Sequence, residues 1–347
     1  MKNNINNELD HRVREVLEQS EVVTDPMHQL GDEVNPKSLL VKAYGLANEQ
    51  FARIVGSHDV STNAVMGDCR GLVGLLSKLA VPFSDIKCND SFPYGFGDPI
   101  STSIYYPSDI SNLEKLPVIN FVGGILSNQG HYTEMITHWA SYGFIVVISS
   151  NFINSTIAMH LLGFLSLSQM NRDPDSPVYG KVDLANSIVA GHSAGGHATL
   201  RTASLSDEAL AMVDSDIGIS GALSIEPGPL AMGGTVKKPT LLLTGLADVV
   251  VPPFTWPSLW LLPLIKKVPA WGATALTATH FSPLRPLVDN EFAGITTAWL
   301  LYRAKGDTSA KEYFVGKNYK LAKDTQFIQN ALNPLRVSRN ALAENLS

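Results

Sequence analysis

The amino-acid sequence predicts an α/β fold in which a mostly parallel central sheet is covered by helices on both faces. After residue 92, short and nearly continuous apolar runs alternate with helix-like stretches, a texture typical of parallel strands buried on both sides. The strand-like runs are Ile100–Tyr106, Val118–Val122, Phe144–Ile148, Ile188–Gly191, Ala222–Ile225, Thr240–Thr244 and Ala273–Thr277. The helix-like stretches lie near 131–141, 157–169, 195–205, 256–266 and 287–303.

The composition supports a large packed core and excludes several classes of partner. The chain has 347 residues, of which 45% are hydrophobic and 17% charged, below the roughly 25% charged residues of average globular chains. The net charge of −6 leaves no basic footprint for a nucleic acid. No apolar run reaches the ~20 residues that cross a bilayer, so no membrane span is expected.

Three regions are predicted along the chain. Residues 1–85 form a helical N-terminal extension, residues 86–316 form the main domain, and residues 317–347 form a basic helical tail. The extension carries apolar stripes at 39–54 and 72–79, which require burial. We expect it to cover the main domain as a lid or to pack on its flank as a brace. Burial of the stripes in a homodimer interface is a third alternative.

The N-terminus and the cysteines bear on the compartment of the protein. The first residues lack the apolar core of a secretory signal, which predicts a cytoplasmic location. Two cysteines, Cys69 and Cys88, are too few for a disulfide scaffold or a four-thiolate zinc site. Whether these two are bonded to each other is left open by the sequence.

The segment Gly191–Gly195, which reads GHSAG, is the strongest catalytic motif. A serine on a sharp turn between a strand and a helix needs small neighbours, because the turn holds it in a strained conformation with its oxygen exposed. A buried strand-like run precedes this segment and a helix-like stretch follows it, as this chemistry requires. We therefore expect Ser193 to be a nucleophile.

Asp248 and His280 are the groups predicted to activate the serine. A serine hydroxyl needs a base that takes its proton, and the base needs an orienting carboxylate. In this architecture the acid and then the histidine follow the serine along the chain, each on a loop after a strand. Asp248 comes four residues after Thr240–Thr244, and His280 follows Ala273–Thr277. A plain turn aspartate and a capping or core histidine are the alternatives.

Glu226 is a second acidic candidate, because it also lies where a predicted strand ends. It is a substitute for Asp248 as the orienting acid, or else it lines the substrate pocket together with Pro227. His192 and His197 flank the nucleophile, where structural roles are expected. No group of histidines, cysteines and acids has metal-ligand spacing, so the sequence predicts neither a metal nor another cofactor.

Two backbone N–H groups are expected to hold the negative oxygen that develops in acyl transfer. One belongs to Ala194, the residue after the nucleophile. The segment Phe121–Leu126 predicts the other, because two glycines after a strand let the chain turn so that the Ile125 N–H faces the site, with Gly124 beside the substrate. A plain glycine turn is the alternative.

Over residues 92–316 the sequence resembles the α/β-hydrolases of the bacterial cutinase and polyester (PET) hydrolase family. The resemblance rests on segments that match the family's opening strand, oxyanion turn, helix-to-strand join, elbow approach, acid and histidine. In that order they are Tyr94–Pro107, Gly123–Ile125, Ala140–Val147, Asp175–Asp183, Gly245–Asp248 and Thr279–Pro283. The resemblance implies an α/β-hydrolase fold and a serine esterase that needs no cofactor and acts on small or polymeric esters.

The sequence also departs from the family. Where the family has a tryptophan that stacks on aromatic ester groups, this chain reads Glu226-Pro227-Gly228. Ile125 replaces the usual aromatic residue of the oxyanion turn, and both cysteines lie before residue 90, so the family's C-terminal disulfide has no counterpart. Polyester breakdown is therefore expected to be weak, and hydrolysis of small or aliphatic esters is expected to remain.

Three classes of function compete. The first is a serine carboxylic-ester hydrolase that works through an acyl-enzyme. The second uses the same triad as an acyltransferase, a thioesterase or an amidase. The third is a catalytically silent binding protein on this fold.

Overall fold

The computed structural model describes residues 43–70, 87–89 and 101–346. The strands of these ranges are β1 (Val60–Thr62), β2 (Met66–Asp68), β3 (Lys87–Asn89), β4 (Ser101–Pro107), β5 (Leu116–Val122), β6 (Ile145–Ser150), β7 (Val182–His192), β8 (Ile219–Ile225), β9 (Thr240–Gly245), β10 (Ala270–Ala275) and β11 (Ser338–Arg339). Nine of them form one sheet in the order β1-β4-β6-β5-β7-β8-β9-β10-β11, while β2 and β3 pair separately.

The centre of the sheet is parallel, as the sequence predicts. Strands β6, β5, β7, β8, β9 and β10 run in one direction. At one edge β4 is antiparallel to β6 and β1 is antiparallel to β4, and at the other edge β11 is antiparallel to β10. The carboxyl ends of parallel strands meet at one edge of a sheet, where α/β proteins place their sites. The chain after β5, β7, β8, β9 and β10 therefore converges there.

Helices connect the strands and cover both faces. They are α1 (Thr133–Ser141), α2 (Ile157–Arg172), α3 (Ala194–Thr202), α4 (Asp207–Ala211), α5 (Ala293–Leu300), α6 (Thr308–Lys311) and α7 (Ala341–Glu344). Tighter 3-10 turns lie at Ile110–Asn112, Gln129–Tyr132, Gly233–Thr235, Leu262–Leu264, Ser282–Leu284, Leu287–Asp289 and Lys320–Lys323. Wider π turns lie at Asn48–Ala52, Pro257–Leu261 and Leu301–Lys305. Among these described helices, none is long and apolar enough to cross a membrane.

Both faces of the sheet are buried, which explains the continuous apolar runs of its strands. In β9, Leu241 and Leu243 belong to one core cluster and Leu242 to the other, because side chains alternate between the faces of a strand. Trp139 of α1 and Trp299 of α5 fill the first cluster. The second contains apolar side chains of α2, α3 and α4. A strand between two such layers needs apolar residues at every position.

The described part of the N-terminal extension packs on the flank of the sheet. Ala47 and Phe51 are buried in the first core cluster, where the Phe51 ring meets that of Tyr313 edge-on. Strand β1 then pairs with β4 and extends the sheet. Residues 43–70 therefore act as a brace. Residues 1–42 and the predicted stripe at 72–79 lie outside the described residues.

The main sheet extends across the predicted domain boundaries at residues 85 and 316, which stay a prediction. Strand β1 lies before the first boundary and β11 after the second, yet both are edge strands of the main sheet. Within the predicted helical tail, the described residues form a 3-10 turn, the strand β11 and the short helix α7. Backbone pairing with the main domain thus holds both terminal regions.

Cys69 and Cys88 form a disulfide beside the β2–β3 pair. Disulfides persist mainly in oxidising compartments. The location of the protein stays a prediction.

Asn48 joins the N-terminal brace to α5, and its replacement should destabilise the fold. Its side chain accepts a hydrogen bond from the Gly294 N–H (2.8 Å) and donates to the carbonyls of Tyr44 and Glu291. Asn48→Ala leaves these buried groups without a partner, which costs about 1–3 kcal/mol. We expect a lower urea midpoint of unfolding, and an unchanged midpoint in Asn112→Ala, which alters an exposed asparagine. Equal midpoints in the two variants would contradict this.

Candidate active site

Ser193 sits on a strained turn between β7 and α3, with φ +56° and ψ −117°. The turn fits only because its neighbours are glycines. A Cβ on Gly195 would lie 1.9 Å from the Val122 carbonyl oxygen, and one on Gly191 would lie 2.3 Å from the Gly195 carbonyl oxygen. The Ser193 N–H donates to the Ile225 carbonyl at 2.9 Å, which ties the turn to β8. The GHSAG pattern is therefore a packing requirement of this turn.

Two consecutive hydrogen bonds connect Asp248 to His280 and His280 to Ser193. The His280 Nε2 is 2.9 Å from the Ser193 Oγ, and the His280 Nδ1 is 2.8 Å from the Asp248 Oδ2. The N–H groups of Val250 and Val251 donate to the Asp248 Oδ1, which orients the carboxylate. Both Asp248 and His280 are buried. The structure thus brings together the three residues that the sequence predicts as nucleophile, base and acid.

The loop after β5 places a second backbone donor near the nucleophile. A Cβ on Gly124 would lie 3.2 Å from the Ser193 Cβ, so the loop and the nucleophile are in close contact. Within the described residues, neither the Ile125 N–H nor the Ala194 N–H donates to a backbone carbonyl. Free N–H groups beside a nucleophile can hold a developing oxyanion.

Tyr132, which the sequence analysis missed, holds the loop after β5 (residues 123–128), here called the oxyanion loop. Its Oη accepts a hydrogen bond from the Gly124 N–H at 2.8 Å and lies 2.8 Å from the His192 Nδ1. Burial raises the pKa of Tyr132 to about 12, so the phenol keeps its proton and donates it to His192. Burial, followed by the charge of His280, lowers the pKa of His192 well below its usual value. His192 is therefore neutral, with its proton on Nε2.

Asn154 is a second residue that the sequence analysis missed. Its Nδ2 donates to the carbonyls of Gly124 and Ser127, which ties the loop after β6 to the oxyanion loop. The side chain of Asn151 accepts the Asn154 N–H and so fixes this turn. The spacing Asn151-Phe-Ile-Asn154 directly after an apolar run was the available sequence signal, because asparagine favours such turns.

Glu226 is buried behind the triad, so it does not line an open substrate pocket as the sequence analysis allowed. Its Oε2 lies 3.3 Å from the His192 Nε2 and 3.9 Å from the His280 Nδ1, farther than Asp248. Pro227 is also buried, and its carbonyl accepts the indole N–H of Trp256 at 2.8 Å. Asp248, not Glu226, therefore makes the hydrogen bond to the base.

His192, Glu226 and His280 are near enough to one another to suggest a metal site, although their sequence spacing does not predict one. The ring nitrogens of His280 are already engaged, Nδ1 with Asp248 and Nε2 with Ser193. Because Tyr132 donates to the Nδ1 of His192, the ring proton of His192 is on its Nε2, which therefore offers no lone pair. A metal ligand must offer a free lone pair. We therefore assign these side chains to proton positioning.

Exposed apolar side chains lie along the carboxyl edge of the sheet, where the triad also lies. They lie on the loops after five parallel strands and are Ile125, Ile153, Leu230, Met232, Leu246, Val249, Val250, Phe254 and Phe281. In the stretches 123–128, 151–156, 226–232, 246–256 and 276–281, the ionisable side chains are Glu226, Asp248 and His280, all of them buried. This apolar rim therefore presents no exposed charge to a substrate.

A separate cavity of about 490 Å³ lies between the turns at 257–264 and the segment 334–342. Its lining residues include Leu242, Thr244 and Thr274 but none of the triad. The triad therefore lies outside this cavity.

The sequence is similar to ester hydrolases of known families. A family model described as PETase, PET hydrolase-like, matches residues 72–330. Cutinase 2 of Thermobifida cellulosilytica and cutinase cut1 of Thermobifida fusca are each 27% identical over 231 residues, which is 63% of this chain. The match covers 78% of the first relative and 64% of the second, slightly under two thirds of its length.

A side chain at Gly124 should press on the nucleophile, because a Cβ there would lie 3.2 Å from the Ser193 Cβ, with the His192 Nδ1 and the Tyr132 Oη in contact at 3.5 Å. We expect Gly124→Ala to slow labelling of Ser193 by a fluorophosphonate at least about 10-fold, through displacement of an oxyanion donor. The matched control is Gly234→Ala, since a Cβ at Gly234 meets nothing within 4 Å. Equal labelling rates in both variants would show that the loop does not touch the reacting group.

Proposed function

The chain belongs to the PET hydrolase-like family, and we propose that it hydrolyses carboxylic esters with Ser193, His280 and Asp248 as its triad. Membership makes it a serine ester hydrolase in general terms. The observation that carries the finer proposal is the continuous hydrogen-bonded line from Asp248 through His280 to the Ser193 Oγ. No other described serine stands in such a line with a histidine and a buried acid.

In the acylation half, the Ser193 Oγ attacks the ester carbonyl carbon while its proton passes to the His280 Nε2. The tetrahedral intermediate then collapses and expels the alcohol, which takes this proton from His280. Asp248 holds the Nδ1–H of His280 throughout and stabilises the imidazolium. An ester joins the acyl group to Ser193 at the end of this half.

In the second half, water attacks the acyl-enzyme and gives a proton to the His280 Nε2. Collapse of the second intermediate returns that proton to the Ser193 Oγ and releases the carboxylic acid. The N–H groups of Ile125 and Ala194 hold the oxyanion in both halves. Neither donates to a backbone carbonyl among the described residues, Ala194 directly follows Ser193, and Ile125 directly follows Gly124, which contacts Ser193. No cofactor takes part in these steps.

The preferred substrates in this proposal are neutral esters with small or aliphatic groups. The rim is apolar and without exposed charge, which favours uncharged chains. By its resemblance to the family, the stretch Glu226-Pro227-Gly228 stands where a stacking tryptophan is expected, and stacking on an aromatic face contributes about 1 kcal/mol beyond area burial. Aromatic polyesters should therefore be turned over more slowly than aliphatic esters.

Loss of any triad member should remove most of the turnover while the fold persists. We expect Ser193→Ala and His280→Ala to lower kcat about 10⁴-fold or more, and Asp248→Asn at least about 10²-fold, with strongly non-additive combinations. Turnover of a short-chain nitrophenyl ester, fluorophosphonate labelling and thermal unfolding measure this. Ser111→Ala, at an exposed serine, is the control. Full activity in Ser193→Ala would defeat the proposal.

A charge placed on the apolar rim should weaken the use of longer aliphatic esters. Val249 is 88% exposed beside Asp248, whereas Met212 is 87% exposed after α4, before the amino end of β8. We expect Val249→Asp to lower kcat/KM for an octanoate ester more than for an acetate ester, and Met212→Asp to change neither. An equal fall for both esters, or the same pattern in both variants, would remove the rim from substrate binding.

A further inference from the structure

Two carboxyl groups face the same edge of the His280 ring. The Asp248 Oδ2 is 2.8 Å from the Nδ1 and the Glu226 Oε2 is 3.9 Å from it. The triad uses only the first. Glu226 comes from the end of β8, the strand between that of the nucleophile and that of Asp248.

The position of Glu226 is maintained at a structural cost. Its φ of +47° lies in the left-handed region, which residues other than glycine rarely adopt. Its Oε1 would lie 2.7 Å from a Cβ on Gly245, so a glycine there makes room for the carboxyl. The carboxyl is fully buried, and neither oxygen has a hydrogen-bond partner of good geometry within the described residues. Costs of this kind concentrate at functional sites.

The groups around Glu226 leave it facing one donor and one base. Tyr132 donates to the His192 Nδ1, so the ring proton of His192 is on Nε2, which lies 3.3 Å from the Glu226 Oε2 without a hydrogen bond of good geometry. The His280 Nδ1 lies 3.9 Å from the same oxygen. The next charges are those of Glu291 and Arg285, which pair with each other at 3.6 Å. Arg285 is thus shared with Glu291 and does not neutralise Glu226 alone.

Two carboxylates in so small a buried space repel each other, and the pair is more stable with one proton between them. Burial first, and then the charges of Asp248 and Glu291, raise the pKa of Glu226 well above its usual value, while Arg285 opposes this. Asp248 accepts two backbone N–H bonds that stabilise its charged form. The proton therefore belongs on Glu226.

We propose that Glu226 is a second positioning carboxyl for His280, neutral while Asp248 is charged and able to replace it as acceptor of the Nδ1 proton. The inference rests on the proposed triad and deepens it. Removal of the charge of Asp248 removes one of the charges that keep Glu226 protonated. Glu226 then releases its proton to solvent, and a shift of about 1 Å brings its Oε2 within hydrogen-bond distance of the Nδ1.

A double-mutant cycle of Glu226→Gln and Asp248→Asn tests this proposal. We expect Glu226→Gln alone to lower kcat/KM less than about 10-fold, because a neutral amide replaces a neutral acid. In the Asp248→Asn background the same change should lower kcat at least a further 10-fold beyond its effect in the wild type, with KM unchanged. Equal effects in both backgrounds would overturn the proposal.

The control for the cycle is Glu134→Gln, which makes the same chemical change at a carboxylate that accepts the Leu287 N–H instead. It should act equally in both backgrounds. Thermal unfolding of each variant separates a loss of fold from a loss of positioning.

A second measurement reads the hydrogen bond without any substrate. A histidine Nδ1–H bonded to a carboxylate gives a proton resonance far downfield of the amide signals. We expect this resonance in the wild type, in Glu226→Gln and in Asp248→Asn, and its loss in the double variant. Its loss in Asp248→Asn alone would overturn the inference. Turnover retained in Ser193→Ala would instead defeat the proposed function, and the resonance would still decide the role of Glu226.

Discussion

The close packing of backbone at the carboxyl ends of β5, β7 and β8 is the constraint on which the site depends. Gly195 lies so near the Val122 carbonyl that no side chain fits, and Ser193 is bonded to Ile225 on the other side. The turn at Ser193 is therefore held from two neighbouring strands. Because packed cores resist small displacements, the nucleophile keeps its position without help from a loop of its own.

Backbone strain is concentrated near the turn at Ser193. The non-glycine residues with positive φ in the described chain are Leu126, Asn154, Ser193 and Glu226. They follow β5, β6, β7 and β8, so the strained positions line one edge of the sheet. Such conformations persist only where the surroundings over-determine them. Here the surroundings are the rigid strands and the hydrogen bonds of Tyr132 and Asn154.

The distribution of charge also supports the site. Asp248, His280 and Glu226 are buried, and the exposed side chains of the rim are apolar. A buried charge interacts more strongly than an exposed one, so the Asp248 carboxylate acts on His280 with little screening. Neutral His192 separates Glu226 from the oxyanion loop. The family relationship makes the chain a serine ester hydrolase in general terms, and the buried Glu226 beside His280 is a feature of this structure.

The sequence by itself determined the parallel sheet and the triad, because both depend on local patterns. Buried strands read as apolar runs, the nucleophile needs its two glycines, and the acid and the histidine follow strands in a fixed order. Contacts between distant segments needed the tertiary structure. Tyr132 meets His192 across 60 positions of sequence, and β1 and β11 join the sheet although they are too short to show a pattern. The sequence also left Glu226 with two roles. Its burial removes it from the substrate-facing surface, and its distance from His280, which depends on how β8 and β9 pack, places it second to Asp248 as a partner of the base.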